Sequence, residues 1–246
     1  MKIAILADIH GNMSALSAVL TQAQNDGVSS YIVAGDLIGY YYDTHKVLQA
    51  LTDLPCVYCR GNHENIYAEW RQSDAIGRED IRKKYGSSYR MTEEHLTSDQ
   101  KDFLLSLPHP FAFQQDNIRF LVSHGAPWDI DERIYPDAPE EMLSYFDEYQ
   151  DEADVIITAH THYPASWQRG NMLIVNPGSV GQPRDRVVSP SGARAQWGIY
   201  DTHARHYFPR ISLYDPHSVL SDCDQYDPDI PYLKNILLPP VTDQKI

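Results

Sequence analysis

The chain has 246 residues, of which 34 are acidic and 20 are Lys or Arg, so its formal net charge is −14. This charge excludes an extended surface for nucleic acid and opposes binding to an anionic membrane. The length suits one or two domains, with a core large enough to fold without disulfides. Because the chain is acidic, an anionic ligand would need a local positive feature, and a metal site would supply one.

The cysteines and the N-terminal segment indicate a protein of the cytoplasm. Three cysteines are too few and too unevenly placed for a disulfide framework. Cys56 and Cys59 lie in a predicted strand, point to opposite faces, and are expected to be two packed thiols. The apolar run over 3–7 is too short for a signal peptide, and no run reaches the ~18 residues of a membrane span.

The first part of the chain predicts parallel βαβ units. Residues 3–7 and 31–34 are short apolar runs, typical of strands buried on both faces. Between them, apolar residues recur at helical spacing over 13–25. A second helix is expected over 43–51 and a third strand over 56–59, which extends the parallel arrangement.

The rest of the chain predicts a polar helical stretch, an acidic helix over 138–150 and a β-meander. The predicted strands are 111–115, 118–122, 154–158, 164–168, 172–175, 194–200 and 205–213. We expect an α/β fold with two sheets packed face to face. The predicted organisation is a single domain over 1–214, with inserts at 65–108 and 126–152 and an irregular C-terminal tail over 215–246 that lies on the surface.

Five of the predicted strands end in a short polar segment. The segments are Asp8-Ile9-His10-Gly11-Asn12, Gly35-Asp36, Arg60-Gly61-Asn62-His63-Glu64, Ser123-His124-Gly125 and Ala159-His160-Thr161-His162. Ligand sites of open α/β sheets lie beyond the carboxyl ends of strands, so these segments are predicted to converge. Asp8 and His10 are two residues apart, as are His160 and His162, and in an extended chain each pair would face one way.

The composition of these segments indicates a metal site. They combine carboxylates, an amide oxygen and imidazoles, which suit Mn²⁺, Fe²⁺, Ni²⁺ or Zn²⁺. The ligands are too many for one tetrahedral ion and are enough for two ions that share a carboxylate. The remaining histidines are expected to be ordinary hydrogen-bonded residues; they are His45, His95, His109, His203, His206 and His217.

The motif order D-x-H, G-D, G-N-H-E, H-G and H-x-H resembles that of the calcineurin-like metallophosphoesterases, over residues 1 to about 200. Residues 8–12, 35–40 and 176–180 are most similar to the small bacterial and archaeal phosphodiesterase-like members. The resemblance implies a four-layer α/β/β/α sandwich of two mixed sheets flanked by helices. The chain departs from the family at Ala159, where glycine is usual, and lacks the Asp-Arg-Gly element of eukaryotic-type protein phosphatases.

The resemblance also implies the roles of the site residues. The first ion would be held by Asp8, His10, Asp36 and His162, and the second by Asp36, Asn62, His124 and His160. His63 matches the family's catalytic histidine, and Asn12 and Arg60 match positions that can contact the substrate phosphate. The implied cofactors are two divalent ions, with manganese as the first candidate and iron, nickel or zinc as alternatives.

The implied reaction is hydrolysis of phosphodiesters, with monoesters as further candidates. A hydroxide formed from water between the ions attacks phosphorus, and His63 protonates the leaving oxygen. Glu64 or another carboxylate is a candidate for orienting His63. The expected partner is a small phosphorylated substrate, with a nucleotide as one candidate; no membrane or extended nucleic-acid surface is expected, and a homodimer is left open.

Three alternatives remain at this stage: a dinucleoside polyphosphate hydrolase, a protein phosphatase on the same site, and a non-catalytic binding scaffold. The presence of His63 and of every ligand position disfavours the scaffold. Aromatic and arginine residues of the inserts are predicted to pack the inserts onto the body, the alternative being that they stack a base and hold a second phosphate. These residues are Tyr67, Trp70, Arg71, Arg90, Trp128 and Tyr135, and the same alternatives apply to Tyr40-Tyr41-Tyr42. The run Arg184-Asp185-Arg186 is predicted to be a solvated loop, the alternative being that it lies near the site.

Overall fold

A computed structural model describes residues 1–185 and 192–238, which include two five-stranded sheets. The strands are Lys2–Leu6 (β1), Ser30–Ala34 (β2), Cys56–Cys59 (β3), Phe111–Gln115 (β4), Ile118–Val122 (β5), Val155–Ile157 (β6), Ala165–Arg169 (β7), Met172–Asn176 (β8), Ala193–Asp201 (β9) and His206–Tyr214 (β10). The first sheet has the order β10-β9-β1-β2-β3, and the second has the order β4-β5-β6-β8-β7.

Both sheets are mixed, and each contains a set of three parallel strands. Strands β1, β2 and β3 are parallel, as are β5, β6 and β8. Antiparallel strands complete each sheet: β9 and β10 in the first, β4 and β7 in the second. The carboxyl ends of each parallel set therefore share one edge of their sheet.

Side chains that alternate along each strand face opposite sides of its sheet and so contribute to different layers of the fold. Ile3 and Ile5 of β1 belong to the apolar core between the sheets, together with Phe120 of the second sheet. Ala4 and Leu6 face the other way and belong to the core beneath the helices of the first sheet. Since a separate apolar cluster covers the outer face of the second sheet, the predicted α/β/β/α sandwich is confirmed.

The helices flank these sheets and connect the strands. They are Met13–Asn25 (α1), Thr44–Thr52 (α2), Asn62–Gln72 (α3), Ala75–Tyr85 (α4), Ser88–His95 (α5), Ser98–Ser106 (α6), Glu140–Ser144 (α7), His217–Tyr226 (α8) and Tyr232–Asn235 (α9). The acidic helix expected over 138–150 is shorter than predicted, because α7 passes into a 3₁₀ helix over Tyr145–Tyr149. None of the helices within 1–185 and 192–238 has the length and apolar character needed to cross a bilayer.

The C-terminal segment differs from the prediction of an irregular tail. Residues Val219 and Cys223 of α8, together with Leu233 of α9, are buried in an apolar cluster that also contains Tyr41 and Tyr42. This packing stabilises α8 and α9. The sequence did not predict them, because acidic residues and prolines are scattered over this segment. Residues 239–246 of the predicted tail lie outside the described residues.

The three cysteines are free thiols, and Cys59 is buried. Cys59 belongs to the core between the sheets, whereas Cys56 packs against the core on the helical side. The prediction of two packed thiols on opposite faces of a strand is confirmed.

Candidate active site

The polar segments that follow β1, β2, β3, β5 and β6 converge at one edge of the sandwich. Backbone hydrogen bonds join neighbouring segments: the amide of His10 donates to the Asp36 carbonyl at 2.9 Å, and the amide of Ala159 donates to the His124 carbonyl at 2.6 Å. The predicted convergence therefore occurs. Ala159, which replaces the usual glycine, is accommodated because its methyl group is buried in the core between the sheets.

The first ligand set consists of Asp8, His10, Asp36 and His162. One ligand atom from each lies within 4.8 Å of all the others, and all four residues are buried. The His162 Nε2 atom lies 3.3 Å from Asp8 Oδ1, and the His10 Nε2 atom lies 3.7 Å from Asp36 Oδ2. These short separations fit the coordination of a single cation.

The second ligand set consists of Asp36, Asn62, His124 and His160. The His124 Nε2 atom lies 3.2 Å from Asp36 Oδ2 and 3.0 Å from Asn62 Oδ1. The same Asn62 oxygen lies 3.0 Å from His160 Nδ1. Asp36 therefore lies between the two ligand sets, in a position from which it could bridge two ions.

The unpaired acceptors of Asp8 test whether this site fits metal ions. Both carboxylate oxygens are buried, and neither has a hydrogen-bond partner among the described residues. The Nε2 atom of His160 is buried without a partner as well. A buried carboxylate that accepts no hydrogen bond is unfavourable, so the Asp8 oxygens fit a cation that they would coordinate.

Backbone carbonyls fix the orientation of three ligand histidines. The Nδ1 atoms of His10, His124 and His162 lie 2.9, 2.9 and 2.6 Å from the carbonyl oxygens of Ile38, Ala34 and Gln182. Each ring therefore holds its Nδ1 proton on a carbonyl and presents Nε2 to the ligand sets. This is the usual way in which proteins orient a metal-binding imidazole.

The carboxylates of Asp8 and Asp36 favour positive charge on the groups that surround them. Burial lowers the pKa of His124, but Asp36 and Asp8 outweigh burial and raise it to about 10. Burial raises the pKa of Asp36, but His124 and His63 hold it well below its usual value. Asp36 is therefore ionised near neutral pH and available as a ligand.

Five of the ligands have left-handed backbone conformations, which sequence analysis did not predict. Their φ angles are 52° for Asp8, 53° for His10, 55° for Asp36, 64° for His160 and 62° for His162. Such conformations cost about 1–2 kcal/mol for each residue that is not glycine. The expectation that each pair faces one way because the chain is extended is therefore wrong, since sharp turns bring the side chains together.

Two glycines allow the close approaches that the site requires. A Cβ atom on Gly61 would lie 2.1 Å from Asp36 Oδ1, and one on Gly39, whose φ is 94°, would lie 2.0 Å from His63 Nδ1. Any side chain at either position would displace a site residue. The Gly-Asn-His segment and the loop after Asp36 therefore depend on glycine for steric reasons.

His63 is buried next to the bridging carboxylate. Its Nε2 atom lies 4.0 Å from Asp36 Oδ2, and its Nδ1 atom lies 2.6 Å from the hydroxyl oxygen of Tyr89. Burial lowers the pKa of His63 to about 4. Burial also raises the pKa of Tyr89 well above its usual value. The hydroxyl therefore keeps its proton and can donate a hydrogen bond to Nδ1 of His63.

Glu64 has a different role from the one considered in the sequence analysis. Its carboxylate accepts hydrogen bonds from the backbone amides of Gly61, Asp36 and Leu37 at 2.7, 3.1 and 2.9 Å. It therefore fixes the loops that carry Asp36 and Asn62, and among the described side chains Tyr89 is the one that hydrogen-bonds the His63 ring. No motif marks Tyr89, because it comes from α5 in the insert and reaches His63 only in the folded chain.

We expect Tyr89→Phe to lower kcat for phosphodiester hydrolysis about tenfold while both KM and metal content stay unchanged. The reason is that one hydrogen bond to His63 is worth about 1 kcal/mol or somewhat more. Steady-state kinetics in the wild-type and His63→Ala backgrounds provide the check. If Tyr89 is a positioning residue for His63, its replacement has no further effect once His63 is alanine; equal losses in both backgrounds would contradict this role.

The two predicted phosphate contacts have different outcomes. Asn12 is fully buried, and its amide group donates to the Gly181 carbonyl and the Tyr214 hydroxyl, both at 3.0 Å. Its Oδ1 atom accepts from the amide of Ala15 and caps α1. Asn12 therefore supports the loop structurally, which corrects the expectation of a substrate contact. Arg60 lies in an open cleft beside Asn62, and its contact with substrate stays a prediction.

Most of the candidate rim residues pack the inserts, as predicted. Tyr67 and Trp70 are buried in the core, and Arg71 and Arg90 form ion pairs with glutamates of α5. The side chains of Tyr40, Tyr41 and Tyr42 are buried. Two aromatic residues remain accessible: Trp128 is 37% exposed and Tyr135 is 42% exposed.

Arg184 agrees with the alternative considered for its run, a position near the site, rather than with a fully solvated loop. Its guanidinium donates a hydrogen bond to the Tyr40 hydroxyl at 3.1 Å. The Tyr40 ring in turn lies 4.8 Å from the His63 ring, centroid to centroid. Arg184 is thus part of the wall around His63, whereas Arg186 lies outside the described residues.

The fold and the two ligand sets define an α/β sandwich protein with a metal-binding edge. Residues 1–195 match the model of the calcineurin-like phosphoesterase superfamily domain. The chain therefore belongs to the calcineurin-like phosphoesterase superfamily, a family of metal-dependent enzymes. This confirms the resemblance found in the motifs.

Individual relatives agree with this assignment. An uncharacterised protein of Methanocaldococcus jannaschii is 30% identical over 209 residues, which is 77% of this chain and 80% of that protein. Phosphodiesterase YfcE of Escherichia coli is 23% identical over 214 residues, covering 82% of this chain and 88% of YfcE. The crystal structure of a metallophosphoesterase from Sphaerobacter thermophilus aligns with a TM-score of 0.77 at 24% identity, covering 96% of this chain and 98% of that one, which supports the fold.

Proposed function

We propose that this protein is a phosphodiesterase that acts on small phosphodiesters at a centre of two divalent ions, with manganese as the expected metal. The observation that carries the proposal is the pair of ligand sets that share Asp36, with His63 Nε2 4.0 Å from the shared carboxylate. The name of the relative YfcE supports diesters as the substrate class. The expected location in the cytoplasm and the option of a homodimer stay predictions.

The metal ions would be held by the first and second ligand sets. When bound, they supply an ionised water near neutral pH and stabilise the charge on the phosphoryl oxygens. The protein contributes the geometry: Asp8 and Asp36 draw the cations into a chain whose net charge is −14. Backbone carbonyls and Glu64 hold the ligands in place, so little rearrangement is needed during the reaction.

His63 would donate a hydrogen bond from Nε2 to the leaving oxygen, because its lowered pKa of about 4 keeps the ring neutral near pH 7. Because the Tyr89 hydroxyl contacts Nδ1, a neutral ring carries its proton on Nε2, the atom that faces the ligand sets. A donor at this position stabilises the negative charge that develops as the ester bond breaks. Tyr89 assists by fixing the ring and its tautomer.

A preference for diesters follows from the arginines around the site. A monoester dianion is best bound by several cationic groups. Arg60 donates to the Leu105 carbonyl at 2.8 Å, and Arg184 donates to the Tyr40 hydroxyl. Each guanidinium is thus oriented by a contact with the protein itself, and we expect a diester with its single negative charge to suit the site better.

We therefore expect the manganese-loaded protein to hydrolyse bis(p-nitrophenyl) phosphate with a higher kcat/KM than p-nitrophenyl phosphate near neutral pH. Both substrates release p-nitrophenol, so the comparison isolates the charge on phosphorus. Protein treated with a chelator is the matched control and is expected to be inactive on both. A clear preference for the monoester would assign a phosphatase to this site instead.

A further inference from the structure

A cleft of about 590 Å³ is lined by residues that lie close in the chain to the second ligand set. Arg60 and Asn65, which line it, flank Asn62 in the sequence. Trp128 and Asp129 also line it, in the turn that follows the segment of His124. From this chain neighbourhood we infer that a group attached to a phosphate at the second ligand set reaches the cleft.

Trp128 offers the cleft a fixed aromatic surface. Its ring packs against Phe146 and Tyr149, with centroids 4.9 and 6.5 Å away, and the Tyr149 ring is inclined by only 22°. Although supported in this way, the side chain stays 37% exposed and lines the cleft. A rigid indole that is partly open to solvent is suited to stacking against a planar heteroaromatic ring.

The polar groups of the cleft supply both donors and acceptors. The guanidinium of Arg60 is held by the Leu105 carbonyl, and its Nε atom is buried with no hydrogen-bond partner in the described part of the chain. The same holds for the Nε2 atom of His109. Asn65 and Asp129 are exposed residues that line the same cleft, and Asp129 Oδ1 accepts a hydrogen bond from the amide of Asp131 at 2.9 Å.

The charges in the cleft distinguish between two kinds of ligand. A second phosphate would meet the Asp129 carboxylate as well as Arg60, and burial keeps His109 neutral near pH 7 by lowering its pKa to about 4. The cleft therefore has no clear excess of positive charge. An uncharged ring with donors and acceptors at its edge fits better than an anion.

We propose that this cleft binds the nucleoside part of a nucleotide substrate, with the base on Trp128 and its polar edge toward Arg60, Asn65 and Asp129. This inference rests on the proposed function, because it extends the same site to a substrate class. It also assigns the side chain of Arg60 to the nucleoside rather than to the reacting phosphate.

Paired substrates test the proposal. The substrates are thymidine 5′-(p-nitrophenyl) phosphate and methyl p-nitrophenyl phosphate, which share the leaving group and differ in the nucleoside. We expect Trp128→Ala in the manganese-loaded protein to lower kcat/KM for the thymidine ester about tenfold, the usual effect of losing one stacked base. The methyl ester is expected to change less than about twofold, and Trp128→Phe is expected to retain most of the nucleoside preference.

Tyr145→Ala is the matched control, because Tyr145 contacts Trp128, is 54% exposed and does not line the cleft. It is expected to leave the ratio of the two kcat/KM values unchanged. Equal effects of Trp128→Ala on both substrates would overturn the nucleoside site and leave the phosphodiesterase intact. Melting curves followed by circular dichroism check that each variant is folded.

If neither ester is hydrolysed, the proposed function is contradicted. The nucleoside site is then tested by a binding measurement. Calorimetric titration compares thymidine and adenosine 5′-monophosphates with ribose 5-phosphate. We expect the nucleotides to bind at least about tenfold more tightly, and Trp128→Ala to remove that advantage. Equal binding of all three compounds would overturn the nucleoside site.

Discussion

Replacing Asp36 by asparagine is expected to reduce metal binding at both ligand sets at once. Its Oδ2 atom lies 3.2 Å from His124 Nε2 in the second set and 3.7 Å from His10 Nε2 in the first. The substitution removes one negative charge from both. Because the ions provide several kcal/mol of transition-state stabilisation, we expect kcat/KM for diesters to fall about 10³-fold or more.

Elemental analysis after reconstitution with excess Mn²⁺ and desalting measures this effect. The wild-type protein is expected to hold two ions, and Asp36→Asn to hold less than His10→Ala, which affects only the first ligand set. Asp53→Asn, an exposed substitution with the same change of charge, is the control and is expected to retain both ions. Full metal content in Asp36→Asn would show that Asp36 is not the shared ligand.

His63→Ala is expected to retain both ions and the fold but to lose about 10²- to 10⁴-fold in kcat, the usual contribution of a positioned proton or hydrogen-bond donor. His63 contacts Tyr89 and lies beside Asp36 without belonging to either ligand set, so metal binding does not require it. The loss is expected to shrink as the pKa of the leaving alcohol falls, because a good leaving group needs little stabilisation of its developing negative charge.

A series of aryl and alkyl diesters gives this dependence directly. His95→Ala, which removes an exposed histidine of α5, is the matched control and is expected to match the wild-type protein. If His63→Ala lost its metal ions, or slowed all substrates equally, the assignment of His63 to the leaving group would be wrong.

The sequence allowed the fold and the convergence of the candidate ligands to be predicted because both follow local rules. Apolar runs such as 3–7 and 31–34 are buried on both faces, and the structure has strands there. The polar residues directly after these strands are placed at the sheet edge by parallel topology. Since side chains such as Asp8 and His124 follow their strands within two residues, their convergence needed no knowledge of distant contacts.

Features that depend on tertiary contacts were not predictable in this way. The left-handed conformation of Asp8 is maintained by surrounding loops, including a hydrogen bond from the Ser179 hydroxyl to the Asp8 carbonyl at 2.8 Å. Tyr89 comes from an insert without a motif, and α8 is stabilised by packing with Tyr41 and Tyr42. For Asn12 the motif was misleading in the other direction. Its position in the motif predicted a contact with substrate, whereas its side chain has a structural role.

Anomalous diffraction from crystals grown with Mn²⁺ tests the central claim, a binuclear centre built around Asp36, most directly. The account predicts two peaks about 3.5–4 Å apart, the usual spacing of two-metal sites. One peak should lie within the first ligand set and the other within the second, with the Asp36 carboxylate between them. A single peak, or peaks that Asp36 does not bridge, would contradict the account.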